Sequence, residues 1–291
     1  MELSARGTAP MTVRGGNLRG AECRLGVASA QVKSAALLAG LHATGRTTVT
    51  EPAPTRDHTE RMLALFGAPL RSSGLSVSVE GGRRLTAASV EVPGDPSSAA
   101  FWVVAAALAP GSELIVRGII ANPTRTGFLA VLGRMGADVR RVSAGERGGE
   151  RCEDLIVRAG KLRAVDVSAE EVPGLVDEVP ILALAAALAD GESCFHGLDE
   201  LRHKESDRLM GIAELLTGFG AKARIDGDDL IVLGPSRLTG AVVDSRGDHR
   251  LAMTAFVAGF LSSGQTRVLD AGCAEISYPS FYDDFMAGAG A

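Results

Sequence analysis

Asp177-Glu178-Val179-Pro180-Ile181-Leu182-Ala183-Leu184-Ala185-Ala186-Ala187-Leu188-Ala189 decides the fold, because its surroundings recur along the chain. The run reads as an apolar helix entered through two acids and a proline. Gly191 breaks it, Ser193 to His196 reads as a strand, and Leu201-Arg202-His203-Lys204-Glu205-Ser206-Asp207-Arg208 follows. Phe219-Gly220-Ala221 closes the stretch. The same order occupies Ser97 to Ala109, Gly111, Glu113 to Val116, Pro123-Thr124-Arg125 and Met135-Gly136-Ala137. It also occupies Ser29 to Ala43, Gly45, Arg46 to Thr50, Pro54-Thr55-Arg56 and Phe66-Gly67-Ala68. A fourth copy runs from Asp248 through Gly264, Thr266 to Leu269 and Tyr278-Pro279 to Gly290-Ala291.

The closing glycines lie at 67, 136, 220 and 290, in steps of 69, 84 and 70 residues. Each suits a left-handed helix C-cap. Between copies come short strand patterns: Leu75 to Val79, Asp154 to Val157 and Leu230 to Leu233. Asp226-Gly227-Asp228 predicts a hairpin turn, and Gly15-Gly16 and Gly81-Gly82 read as hairpin turns too. A further strand is expected at Met11 to Gly15. Each unit therefore reads strand, helix, strand, helix, hairpin. A period near 70 residues exceeds that of the common solenoids. It suits packed α/β units sharing a core. Pro93-Gly94-Asp95-Pro96 is the expected hinge, with three units after it and an uneven remainder before it. The chain is expected to begin part-way through a longer array.

Hydrophobic residues make up 46% and aromatic residues only 4%, so the core is expected to be mostly Ala, Val and Leu. A net charge of −5 argues against broad nucleic-acid binding, which needs a basic footprint. Only four residues are Lys (Lys33, Lys161, Lys204, Lys222) against 26 Arg, so Lys204 is one of few ammonium groups available. Cys23, Cys152, Cys194 and Cys273 have spacings of neither a zinc site nor a redox pair. Four reduced thiols are expected. Met1-Glu2-Leu3-Ser4 carries no apolar signal-peptide core. The longest apolar run, Ala99 to Pro110, is twelve residues, too short to span a bilayer. No membrane association and a cytoplasmic location are expected.

The repeats allow equivalent helix starts to be compared within one chain. Read as the first turns of a helix, Leu201 to Arg208 puts Lys204 and Arg208 on one face, an unfavourable like-charge pair near a positive helix terminus. An anion bound there would explain the cost, and Glu205 would exchange a proton with it. The alternative is a solvated, salt-bridged helix start. Asp95-Pro96-Ser97-Ser98 precedes a helix without a basic residue, and looks structural. Ser29-Ala30-Gln31-Val32-Lys33 is either a phosphate cradle or a Ser N-cap with Gln31 and Lys33 in solvent. Asp177 is either the commoner N-cap or a base whose pKa is raised by the apolar run behind it. Asp248 is the natural cap of its helix. Arg250 near that N-terminus again suggests an anion partner. His249 reads as a core histidine. Pro54-Thr55-Arg56 and Pro123-Thr124-Arg125 are either turn signatures or sites, with Arg56 in the more polar setting.

Taken together, Ser29-Ala30-Gln31-Val32-Lys33-Ser34, Thr55-Arg56-Asp57-His58-Thr59-Glu60, Gly94-Asp95-Pro96-Ser97-Ser98-Ala99, Asp177-Glu178, Lys204-Glu205-Ser206-Asp207-Arg208 and Asp248-His249-Arg250 resemble the enolpyruvyl transferases, specifically the EPSP synthase family. The motifs run in the family's order over essentially the whole chain. The resemblance implies α/β domains of three βαβαββ units each, an inverse α/β barrel-like fold. Residues 1–93 would be a partial N-terminal domain and residues 94–291 a C-terminal domain of three units. It implies transfer of the carboxyvinyl group of phosphoenolpyruvate to the 5-hydroxyl of shikimate 3-phosphate, with no metal and no organic cofactor.

The roles it implies are these. Ser29, Ala30, Gln31 and Arg56 hold shikimate 3-phosphate, Asp177 accepts the hydroxyl proton and Lys204 contacts that hydroxyl. Glu205 shuttles a proton at the methylene, Arg208 and Arg250 grip phosphoenolpyruvate, and Gln31 touches both substrates. The family's chain begins earlier, with further substrate-binding residues, so this chain alone is expected to be inactive or poorly active, and a separate N-terminal fragment is a candidate partner. Ile276 stands where some members carry a Lys. The alternatives are a truncated remnant, at most a weak anion-binding module, and a UDP-N-acetylglucosamine enolpyruvyl transferase.

Overall fold

The computed structural model describes residues 2–3 and 11–289, with side chains from 12 to 288. The chain divides between Val90 and Glu91 into two compact units. The first unit holds the short antiparallel pair β1 (Glu2–Leu3) and β2 (Met11–Thr12), then β3 (Glu22–Arg24), α1 (Ala30–Leu41), β4 (Arg46–Thr50), α2 (His58–Leu65) and the hairpin β5 (Leu70–Ser73) and β6 (Ser76–Glu80). The second begins with α3 (Pro96–Leu108), β7 (Glu113–Ile120), α4 (Gly127–Arg134), β8 (Asp138–Arg147) and β9 (Glu150–Arg158). It continues with β10 (Asp166–Val167), α5 (Val179–Leu188), β11 (Gly191–Phe195), α6 (Arg208–Gly218), β12 (Lys222–Asp226) and β13 (Asp229–Gly234). It ends with β14 (Val242–Asp244), α7 (His249–Leu261), β15 (Arg267–Leu269) and α8 (Phe281–Ala289).

The strand registers reproduce the predicted unit. In the first and third copies the strand after the first helix pairs parallel with a leading strand and antiparallel with the last strand of the hairpin. The sheet orders β3-β4-β6-β5 and β10-β11-β13-β12 are the same arrangement twice. Between them, β7-β9-β8 has only a Gly94–Ile119 bridge as its leading strand. The fourth copy shows β14 parallel to β15 and, among the described residues, no hairpin.

Sequence and structure agree at the predicted helix ends. Gly67, Gly136 and Gly220 take φ of 76°, 88° and 85°, the left-handed conformation that a C-cap demands. Gly290 lies outside the described residues. Asp226 pairs with Asp229 across Gly227-Asp228, the predicted hairpin turn. Gly81-Gly82 is not a hairpin turn: no strand follows it until β7. A Cβ on Gly81 would lie 2.0 Å from the Ala43 carbonyl oxygen, and one on Gly234, its counterpart, 2.2 Å from that of Ala189. These glycines let the end of the hairpin pass against the end of the first helix. Gly15-Gly16 is likewise flanked by no strand pair, and the strand expected at Met11 to Gly15 is only β2, two residues long.

The second unit is built on α3, α5 and α7, which touch one another pairwise. Their Ala-rich faces allow close approach, and a helix apolar all round must be buried. Every residue of α5 from Val179 to Ala187 is buried. Phe101, Phe256, Phe281 and Phe285 pack edge-on or tilted where α3, α7 and α8 meet. The buried rings of Phe101, Phe281 and Phe285 contribute about 1.5–3 kcal/mol each. The first unit has its own small core of Leu37, Leu41, Val49, Leu63, Ala68, Val77 and Val79. No helix among the described residues is long and apolar enough to cross a membrane.

Candidate active site

The helix packing of the second unit brings several N-termini to one end. Asp95 caps α3, accepting from the Ser98 amide at 3.0 Å, with Pro96 in the first turn. Asp248 caps α7, accepting from the amides of Arg250 at 2.9 Å and Leu251 at 3.4 Å. Asp207 caps α6, accepting from the Met210 amide at 3.0 Å. Side chains then join these ends directly. Ser97 donates to Glu178, and Arg250 donates to the Asp177 carbonyl at 3.3 Å.

Leu201 to Arg208 is not one helix. Asp199–His203 forms a 3₁₀ turn, Lys204 is extended, and α6 starts only at Arg208. Lys204 and Arg208 therefore do not share a helix face. Lys204 pairs with Glu200 instead. The break follows from the cap: Asp207 accepts from the Met210 amide, one of the free amides in the first turn of α6, and marks where that helix starts.

Arg208 is fully buried, and its charge is met by carboxylates. Its Nε lies 2.8 Å from Asp248 Oδ2 and its Nη2 3.3 Å from Asp248 Oδ1. Glu205 also accepts from Nη2. Nη1 makes no hydrogen bond and lies 3.6 Å from Asp177 Oδ1. The other Asp177 oxygen is 3.4 Å from Arg250 Nη2. One carboxylate thus sits between two guanidinium groups. Asp248 itself is wholly buried, and burial alone would raise its pKa. Hydrogen bonds and charge from Arg208, and the amides of Arg250 and Leu251, outweigh this and hold it below the usual carboxylate range.

Asp177 is not the N-cap that its position suggested. It lies in the 3₁₀ turn Val176–Glu178 ahead of α5, and α5 has no side-chain cap. Its neighbour Glu178 is 3% exposed, and burial pushes its carboxyl up, only partly relieved by Ser97 and the charge of Arg250. His249 is buried, as a core histidine would be, and desolvation followed by the charge of Arg250 keeps its pKa low.

In the first unit Ser29 caps α1, accepting from the Val32 amide at 3.4 Å. Ala30 opens that helix half-buried, and Gln31 is exposed. Lys33 is not in solvent. It is 1% exposed, 3.0 Å from Glu51 and 2.7 Å from Glu60. Glu51 also accepts from Thr55, next to the half-buried Arg56, and Ser34 and Thr59 hydroxyls meet at 2.6 Å. These bonds tie the first turn of α1 to the loop that carries Arg56.

Of the predicted residues, the structure gathers Asp177, Glu205, Arg208 and Arg250 into one cluster. Lys204 is paired outside it. Sequence reasoning missed Asp248 as the buried partner of Arg208, and the chain Asp95–Arg125–Ser97–Glu178, in which Arg125 pairs with Asp95 and donates to Ser97 at 3.0 Å. It also placed Lys33 in solvent as part of one reading. The spacing 33, 37, 40, 41 marks one helix face, now seen buried, and was the available signal.

A family model for EPSP synthase (3-phosphoshikimate 1-carboxyvinyltransferase) matches residues 2–285. A curated protein named 3-phosphoshikimate 1-carboxyvinyltransferase from Carboxydothermus hydrogenoformans is 48% identical over 94% of this chain and 64% of its own length. One of the same name from Synechococcus sp. (strain JA-3-3Ab) is 50% identical over 94% of this chain and 62% of its own length. The chain thus spans under two thirds of the curated relatives it matches. The solved EPSP synthase of Acinetobacter baumannii is similar over 97% of this chain and 65% of that one, with 38% identity and a TM-score of 0.89. The enolpyruvyl transferase NikO of Streptomyces tendae, 22% identical, shares the fold over 86% of this chain and 57% of that one, with a TM-score of 0.69. The repeated βαβαββ architecture and these likenesses lead to one conclusion: the chain belongs to the EPSP synthase family.

Proposed function

We propose that this chain serves the transfer of the carboxyvinyl group from phosphoenolpyruvate to the 5-hydroxyl of shikimate 3-phosphate, with release of phosphate. The observation that carries the reading is the meeting of Arg208 and Arg250 on Asp177, with Glu205 on Arg208. Two guanidinium groups at the ends of packed helices suit a small polyanion. Glu205 is 50% exposed and can swing away from Arg208 when a substrate anion arrives, whereas the buried Asp248 stays and orients the guanidinium. Arg208 and Arg250 then hold phosphoenolpyruvate. Asp177 takes the hydroxyl proton, Lys204 leaves Glu200 to contact that hydroxyl, and the freed Glu205 exchanges a proton at the methylene carbon. In the first unit, Ser29, Ala30, Gln31 and Arg56 serve shikimate 3-phosphate, and Gln31 contacts phosphoenolpyruvate as well. The reading calls on no metal and no organic cofactor. Residues 1–93 and 94–291 act in it as separate domains.

The test is phosphate release from the two substrates, by the 291-residue chain with and without the N-terminal third of a curated relative supplied in trans. Binding is measured beside it. Arg250→Ala should weaken phosphoenolpyruvate binding by about 1.5–3 kcal/mol, the size of a charged hydrogen bond. Asp177→Asn should lower turnover much more than affinity. Unchanged affinity in the first variant, or unchanged turnover in the second, would remove the basis of the reading.

A further inference from the structure

We propose that Cys194, His196 and Asp229 form a site for a zinc-like divalent ion on the outer face of the sheet β10-β11-β13-β12, with Asp166 orienting the histidine. The four residues come from three neighbouring strands. Asp166 of β10 stands opposite Cys194 of β11, and Phe195 of β11 opposite Leu230 of β13. His196 continues β11 by one residue and so faces Asp229. The other face of this sheet carries Val167, Phe195, Leu230 and Val232, all fully buried. Alternation along the strands therefore puts Cys194, His196 and Asp229 together on the side away from the core.

The sulfur–nitrogen distance suits the ion as it stands. The Sγ of Cys194 lies 3.6 Å from Nδ1 of His196. With Zn–S near 2.3 Å and Zn–N near 2.05 Å, the sulfur–nitrogen edge of a tetrahedron is about 3.6 Å. Asp229 Oδ2 lies 2.6 Å from the same Nδ1, and all three ligand atoms fall within 4.8 Å of one another. The corresponding nitrogen–oxygen edge is about 3.4 Å, so the carboxylate retreats by roughly 0.8 Å as the ion replaces the proton it shares with the ring. The second oxygen of Asp229 already accepts from the Gly197 amide at 2.9 Å. On the far side of the ring, Nε2 lies 3.2 Å from Asp166 Oδ1. That contact keeps a proton on Nε2 and leaves Nδ1 for the metal, the usual carboxylate–histidine–metal relay.

A thiolate, an imidazole and a carboxylate form a donor set of mixed softness that fits Zn²⁺ better than Mg²⁺ or Ca²⁺. His196 is 39% exposed, so water completes the tetrahedron. On binding, the thiol proton and the Nδ1 proton pass to solvent. The ion joins β11 to β13. Cysteine spacing did not reveal the site, because only one ligand is a cysteine and the last is 33 residues beyond the histidine.

The experiment uses the full 291-residue chain, reduced and stripped of metal, titrated with Zn²⁺ against a chromogenic chelator. One equivalent should bind. Co²⁺ in its place should give a thiolate-to-metal charge-transfer band. Cys194→Ser and His196→Gln should lose both signals, Cys273→Ser should keep them, and Asp166→Asn should weaken binding about 10–100-fold. In the unaltered chain, saturating Zn²⁺ should slow alkylation of Cys194, mapped by mass spectrometry. That measurement stands whether or not a variant folds. Failure to bind one equivalent, binding that survives in Cys194→Ser, or an unchanged alkylation rate at Cys194 overturns the proposal.

Discussion

Asp248→Asn isolates the ion pair at the centre of the second unit. Asp248 is fully buried and accepts from Arg208, from Ser206 at 3.2 Å and from two amides of α7. Asn caps a helix about as well as Asp, so the amide oxygen can keep the α7 bonds. Its NH₂ group then faces the Arg208 Nε–H, donor against donor. Breaking one partner of a buried pair costs about 3–5 kcal/mol. Asp177 and Glu205 remain near Arg208, which puts the expected cost at about 3 kcal/mol. Asp248→Ala loses the cap as well, roughly 1 kcal/mol more. Urea unfolding read through Trp102, the only tryptophan and part of α3, follows this unit directly. The pH dependence has a definite sign. The folded-state pKa of Asp248 lies below its unfolded value. The stabilisation is therefore present above about pH 4 and is lost as pH falls through the folded pKa. The gap between the native chain and Asp248→Asn should close in acid. The reasoning fails if Asp248→Asn costs less than about 1 kcal/mol, or costs the same in an Arg208→Met background.

Glu178 behaves in the opposite way. Its raised pKa means that its contribution is most favourable below about pH 4.3 and declines as pH rises towards the folded value. Glu178→Gln, still able to accept from Ser97, should gain stability relative to the native chain between pH 4 and 8 by the same unfolding assay; a pH-independent difference refutes this. In the first unit, Lys33→Met leaves Glu51 and Glu60 facing each other without a cation, at a cost of about 3–5 kcal/mol, visible as faster hydrogen exchange in α1. Burial lowers the Lys33 pKa, but its bonds to Glu60 and Glu51 raise it overall. The contribution of the Lys33 charge is therefore fully present below about pH 10 and is lost as pH rises through the folded value. Unchanged exchange in α1 would show that the pair is not holding the helix.

The repeat was legible because its signals are local. A left-handed glycine, an apolar helix and a two-residue turn each follow from a few neighbouring residues, and Gly67, Gly136, Gly220 and Gly227 all do as their surroundings require. The residue types of the candidate site were legible as motifs, and so was the family resemblance that they carry. What each charge touches was not. Whether Asp177 caps a helix or lies between two guanidinium groups depends on α5, α6 and α7 meeting at one end, and those helices are contributed by residues up to 73 positions apart. Lys33 in water and Lys33 between two glutamates share the same local sequence. Likewise, Cys194 and His196 are two residues apart, but their relation to Asp229 and Asp166 exists only once three strands have paired. The hydrophobic pattern selects the fold; the packing of its helices and the register of its sheets then decide which charges must share a buried space.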